Sequence, residues 1–271
     1  DIAAKRFRLT PEEITLLNPN TGTCPVFRTR RDAEITLGIY RRVPVLIKEG
    51  DPNGNPWGIS FMQGLFNMTS DSHLFHTREE LEADGWALDG NVFERSVDAA
   101  ASRMLPLYEA KMIHHFDHRW ATYERDGSVR DATLKEKQDP NFVVLPRYWV
   151  GEELVADRLE GRWDKHWLLG WRDICRSTDE RTMIASVLGA GASPEGGTLL
   201  ALPDDQSWRS ALLLLASFNS FAFDFVARQK VGGTHLKYFT VRQLPVLPPE
   251  RFSDGFCFGE GPRWFEGLVW F

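Results

Sequence analysis

The stretch SWRSALLLLASFNSFAFDFVARQK, residues 207–230, decides how this chain folds. Apolar side chains fall on nearly every side of the helix it predicts, which makes that helix a buried one. A membrane span is the competing reading. Asn219 and Asp224 interrupt the run, however, and it falls short of the ~20 apolar residues a bilayer needs. A single long core helix ending at Lys230 is therefore expected. It runs directly into RQKVGGTHLKYFTVRQLPVL (228–247), where two glycines and a train of cationic and polar residues follow the buried element. Gly232 and Gly233 should stop the helix, one of them at positive φ. They would also let the backbone approach an anion closely with its amides exposed. Lys230, His235 and Lys237 would complete such a site. The plainer reading is a helix C-cap whose cations complement the dipole.

Around that helix the signals alternate between strands and short helices. LTPEEITLLNPN predicts a first helix, with Thr10 as cap, Pro11 at the first helical position and Glu13 closing a capping box. A second helix is expected over Asp32–Arg42, with Ala33, Ile35, Leu37 and Ile39 on its apolar face. VPVLIK and WGISFMQ read as strands around the turn-rich EGDPNGNP. Thr77 and Glu80 cap a short acidic helix that ends at Gly85. Asp89–Gly90 and Asp126–Gly127 are hairpin turns. NFVVLPRYWV, KHWLLGWRDIC, RTMIASVL and GGTLLALP are further strands. Helices framing many strands, without βαβ alternation, predict an α+β fold with mixed or antiparallel sheets and the long buried helix near its C-terminal end.

Charge is more informative by position than in total. The net charge is −6, which argues against a nucleic-acid partner at first sight. Residues 1–50 nevertheless carry nine Lys/Arg against six acids, and residues 51–100 carry two against nine. The acidic excess is concentrated around TREELEADGWALDG, leaving room for a basic face elsewhere. Cys24, Cys175 and Cys257 lie far apart without metal-type spacing, which suits a reducing, cytoplasmic setting. The chain starts at Asp1 without a methionine and stops inside the aromatic run RWFEGLVWF, so it reads as a piece of a longer protein.

Three clusters could carry chemistry. VFRTRR holds Arg28, Arg30 and Arg31, and WRDICRSTDERT holds Arg172, Arg176 and Arg181. Arginine forks match phosphate oxygens and guanine edges, so clusters like these suit duplex DNA. The neighbouring Asp32, Asp173, Asp179 and Glu180 allow an ion-pair network instead. The third cluster, LYEAKMIHHFDHRWATY (107–123), contains Lys111, His114, His115, His118 and Arg119. A zinc site is conceivable there, but HExxH order is missing and YEAKMI and RWATY look like strands. Glu109 and Lys111 with Asp98 upstream also permit a metal-dependent nuclease, in which the metal activates water. Nothing reads GxGxxG, GxxxxGK[ST] or GxSxG. NPNT and DPNF echo the Asn/Asp-Pro-Pro-aromatic signature of amino-group DNA methyltransferases but lack its second proline, and GAGAS (189–193) is a lone glycine pair.

Four blocks taken together carry a family resemblance. They are LNPNTGTCPVFRTRRDAEITLGIYRRVPVL (17–46), PLYEAKMIHHFDHRWATYE (106–124), KHWLLGWRDICRSTDERTMIASVL (165–188) and SFNSFAFDFVARQKVGGTHLKYFTVRQLPVLPP (217–249). In order and spacing they resemble the region after the catalytic domain in large N6-adenine-specific DNA methyltransferases. These belong to type IIG-like restriction–modification and phage-defence systems, with TaqI-type specificity domains. The resemblance implies a DNA target-recognition domain over residues 51–250, entered through a helical linker at 1–50 and followed by an unassigned tail at 251–271. It implies a partner in double-stranded DNA and another in an N-terminal methyltransferase domain of the same polypeptide. That domain would bind S-adenosylmethionine and methylate a flipped-out adenine. The stretch in hand would hold no cofactor and no catalytic residue. Metal-dependent cleavage through Asp98, Glu109 and Lys111, or a pure protein-interaction role without a membrane, stands as the alternative.

Overall fold

The computed structural model describes residues 7–97, 100–189 and 197–253. Local signals govern the first elements. In α1 (Pro11–Leu17) the Thr10 hydroxyl accepts from the Glu13 amide at 3.2 Å, and the Glu13 carboxylate accepts from the Thr10 amide at 3.0 Å. The same reciprocal box, from Thr29 and Asp32, opens α2 (Arg30–Tyr40) two residues ahead of the expected start. That phase buries Ala33, Thr36, Leu37 and Tyr40 and leaves Ile35 exposed, correcting the expected apolar face. Thr77 and Glu80 cap α3 (Arg78–Ala83), and Gly85 follows at φ 80°.

Two four-stranded antiparallel sheets dominate. One orders β1 (Ile59–Met62), β10 (Thr198–Pro203), β8 (Leu168–Arg172) and β9 (Ala185–Leu188) side by side in that sequence. All six residues of β10 are buried, as a central strand covered on both faces requires. Gly170 in β8 is obligatory: a Cβ there would come within 2.9 Å of Thr198 Cγ2 and 3.0 Å of the Leu199 carbonyl oxygen. The other sheet orders β2 (Ala87–Asp89), β3 (Val92–Val97), β4 (Ala100–Pro106) and β7 (Trp149–Gly151). Its β2–β3 hairpin turns at Asp89–Gly90, and the Asp126–Gly127 turn joins the two-stranded pair β5 (Ala121–Tyr123) and β6 (Val129–Asp131). Short helices α4 (Leu134–Gln138) and α5 (Glu152–Leu159) flank β7. The architecture is α+β with antiparallel sheets, as expected from the sequence.

Four local expectations fail. NFVVLPRYWV (141–150) is strand only from Trp149, where β7 begins. VPVLIK forms no strand, only a single bridge from Val45 to Pro245. Pro44 and Pro245 lack the amides a ladder needs, so pairing is limited to the Leu46 and Ile47 amides, which donate to the Leu244 and Arg242 carbonyls, and the Val246 amide, which donates to the Pro44 carbonyl. YEAKMI makes a single 3₁₀ turn at Ala110–Met112. The long helix of residues 207–230 is in fact two, α6 (Trp208–Phe218) and α7 (Phe221–Lys230), bent by 65°.

The bend has a chemical cause. Asn219 caps α6, and its side chain pairs with the β9 backbone, accepting from the Ala185 amide at 3.3 Å and donating to the Ala185 carbonyl at 3.0 Å. Ser220 then caps α7 by accepting from the Phe223 amide. Asp224, also buried, accepts from the Thr182 and Met183 amides at 2.7 and 2.8 Å. The two polar residues that interrupt the apolar run thus clamp the strand behind it. Among the described residues, no single helix is long and apolar enough to cross a membrane. Leu17, Ala33, Leu37 and Leu46 share one core with Trp171, Leu200, Leu214 and Phe218, so residues 7–50 contribute to the same interior as the sheets. The last helices among the described residues are α8 (Tyr238–Val241) and α9 (Glu250–Ser253).

Candidate functional site

The segment from Arg172 to Met183, which joins β8 to β9, is where Arg28, His235 and Lys237 meet Arg172, Arg176 and Arg181. Arg28 donates to Ser177 Oγ at 2.9 Å, linking the first basic cluster to the second across 149 positions of chain. Asp173 opens the segment fully buried. Its Oδ2 takes His235 Nδ1 at 2.8 Å and Lys237 Nζ at 2.8 Å, and its Oδ1 has no hydrogen-bond partner. Arg228, on α7, holds the far side by donating to the carbonyls of Ser177, Asp179 and Glu180 and to Asp224 Oδ2. The loop is therefore rigid, tied at both ends by buried carboxylates.

Some of the expected phosphate contacts are spent on the fold. The Arg119 guanidinium donates to the carbonyls of Lys137, Asp139 and Phe142, pinning the chain around α4. Arg172 donates to the Ile113 carbonyl at 2.8 Å, and burial lowers its pKa. Backbone carbonyls already take two of the three nitrogens of each guanidinium, which removes the paired donors a phosphate or guanine contact would use. Lys230 is the clearest correction. It turns inward, donates to the Leu17 carbonyl and Asn18 Oδ1, and stands 5.0 Å over the Tyr40 ring. Burial brings its pKa down to about 7. Gly232 and Gly233 do not adopt a left-handed φ, and a Cβ on either would meet nothing within 4 Å. α7 ends instead on an extended Val231. The expected anion cradle at this turn is not built, since its central cation faces the core and its glycines have ordinary backbone.

Other predicted residues stay on the surface. Arg28, Arg30 and Arg31 are exposed, with Arg31 3.7 Å from Glu34. Arg176 is exposed while its backbone amide donates to Asp179. His118 is exposed at the turn before β5. Lys111 pairs with Glu109 at 3.3 Å and lies 4.9 Å over Tyr123, whose hydroxyl donates to Glu109 at 2.7 Å. Asp98, the third member of the nuclease trio, lies outside the described residues, as do Cys257 and residues 190–193 of GAGAS. Among the described residues no group of three or more His, Cys, Asp or Glu side chains converges to hold a metal. His114 stacks on Trp120 at 4.2 Å instead, and burial followed by Arg172 lowers its pKa.

The edge of β9 carries features that sequence reasoning missed. Phe116 is 60% exposed and sits at φ 59°, a left-handed backbone that a bulky residue rarely adopts. Its amide donates to the Ala185 carbonyl, the same oxygen that Asn219 engages, so the 116 turn and the α6–α7 bend lie side by side. Phe221, the first residue of α7, is 79% exposed, and the Arg181 guanidinium lies 4.1 Å from its ring centroid. His115 packs edge-on against Phe116 at 4.6 Å, and burial, then Arg181, lowers its pKa. Ser220 caps α7, so the break at 219–220 places Phe221 at an exposed helix start. No family model, curated protein or solved structure matches the chain.

Proposed function

We propose that this chain is the target-recognition module of a bacterial restriction–modification or phage-defence adenine-specific DNA methyltransferase, and that it grips double-stranded DNA without catalysing methyl transfer itself. The observation that supports this best is the gathering of cations from separate stretches, Arg28, Arg176 and Arg181, at one tied-down segment. Phosphate contacts position a protein on the duplex and need exposed, pre-placed cations on a rigid support. The four blocks of family resemblance supply the rest of the reading: S-adenosylmethionine and the flipped adenine belong to a methyltransferase domain in the parent polypeptide. On this reading Lys230, Arg119 and Arg172 support the module from within, and the contacts fall to Arg28, Arg176 and the residues near them.

A fluorescence-anisotropy titration with labelled, fully paired duplexes tests it. Affinity should be measurable at low salt and fall linearly on a log–log plot, with a slope of about −0.9 per phosphate neutralised. Absence of duplex binding at low salt, in the chain and in the parent enzyme alike, would falsify the proposal.

A further inference from the structure

We infer that Phe116 and Phe221, with Arg181 and His115 between them, form a platform that stacks one unpaired nucleobase. Both rings are exposed, and the Ala185 carbonyl ties their two turns together, accepting from the Phe116 amide and from the side chain of Asn219, two residues before Phe221. Each ring has a cationic or polar side chain against it: Arg181 lies over Phe221 and His115 packs on Phe116. A protein or lipid partner would call for a continuous apolar patch. Bare rings interleaved with a guanidinium match a base with its phosphate, because every base offers a π-face and its backbone a negative charge. The left-handed Phe116 adds a second argument, since a strained backbone persists only where surrounding structure imposes it, and such residues cluster at ligand clamps. Here the imposed conformation presents a phenyl ring to solvent, where it stabilises nothing in the core. Arg176 lies on the segment that carries Arg181, and Arg28 bonds that segment at Ser177, so both supply cations for the backbone that flanks the base.

This inference deepens the DNA-recognition reading, and its test separates the two. Anisotropy titrations would use three probes: a fully paired duplex, the same duplex with one bulged nucleotide, and the corresponding single strand. The wild-type chain should prefer the bulged duplex by at least about fivefold, the low end of base–aromatic stacking. Phe221→Ala and Phe116→Gly should abolish that preference while binding the paired duplex as before. Glycine suits the left-handed φ at 116, so this variant loses the ring without added backbone strain. Ring-dependent binding of the single strand with no duplex affinity would uphold the platform and remove the duplex reading. A preference unchanged in both variants would overturn the platform. So would its absence in the wild type, or rings that serve only self-association by sedimentation.

Discussion

The end of α7 and the edge of β9 hold similar residues and put them to opposite uses. At the end of α7 a lysine, two glycines and a histidine resemble an anion site in sequence. There the lysine is drawn into the interior by the Leu17 carbonyl and Asn18, and the glycines have unstrained backbone. At the edge of β9 an arginine, a histidine and two phenylalanines look like core-and-surface filler, yet both rings stand in solvent, that of Phe221 under a guanidinium. Cations near a helix end are cheap to recruit for capping and packing. Exposed rings in a strained backbone are not, so they carry more functional information.

The largest effect expected from breaking this contrast comes from Asp224. Asp224→Ala leaves two buried amides and the Arg228 guanidinium without their carboxylate, so it should cost about 3–5 kcal/mol by urea unfolding. A loss under about 1 kcal/mol would mean that the clamp on the segment before β9 is slack.

Lys230 sharpens the other side. The folded protein holds its pKa near about 7, against an ordinary 10.5 in the unfolded chain. Between those values the unfolded chain binds the extra proton, so this group makes stability rise as pH climbs from about 7 toward 10.5. Below that window both states are protonated, and the cost of burying the charge is fully present. The melting temperature of Lys230→Met should therefore vary less with pH across this window than that of the wild type. Parallel profiles would show the amine to be solvated.

The smallest effect, and the one with the most telling sign, is at Phe116. Phe116→Gly relieves a left-handed backbone and should stabilise the protein by about 1 kcal/mol in thermal or denaturant unfolding. A destabilisation instead would mean that the ring contributes to packing.

What the sequence revealed divides by range. The capping boxes at Thr10 and Thr77 and the turns at Asp89–Gly90 and Asp126–Gly127 involve neighbours a few residues apart, and these features were legible. The bend at Asn219 depends on Ala185, 34 residues away, and nothing local distinguishes that asparagine from a solvated one. Lys230 meets the Leu17 carbonyl across 213 residues, so its burial was invisible in RQKVGG. Arginine clusters advertise cations but not their acceptors. Backbone carbonyls, which have no sequence signature, took Arg119 and Arg172 out of the candidate surface. Phe221 was hidden for the converse reason, because an aromatic residue inside an apolar run reads as core, and nothing in HHFDH announces the left-handed turn at Phe116.

The most direct test of the division between exposed and internal cations is the salt dependence of binding to a fully paired duplex. It would be measured in parallel for the wild-type chain, Lys230→Met, and the double variant Arg28→Ala with Arg176→Ala. Lys230→Met should leave affinity and slope unchanged, and the double variant should flatten the slope by about 2. Equal losses in both variants, or a duplex that the wild-type chain never binds, would contradict it.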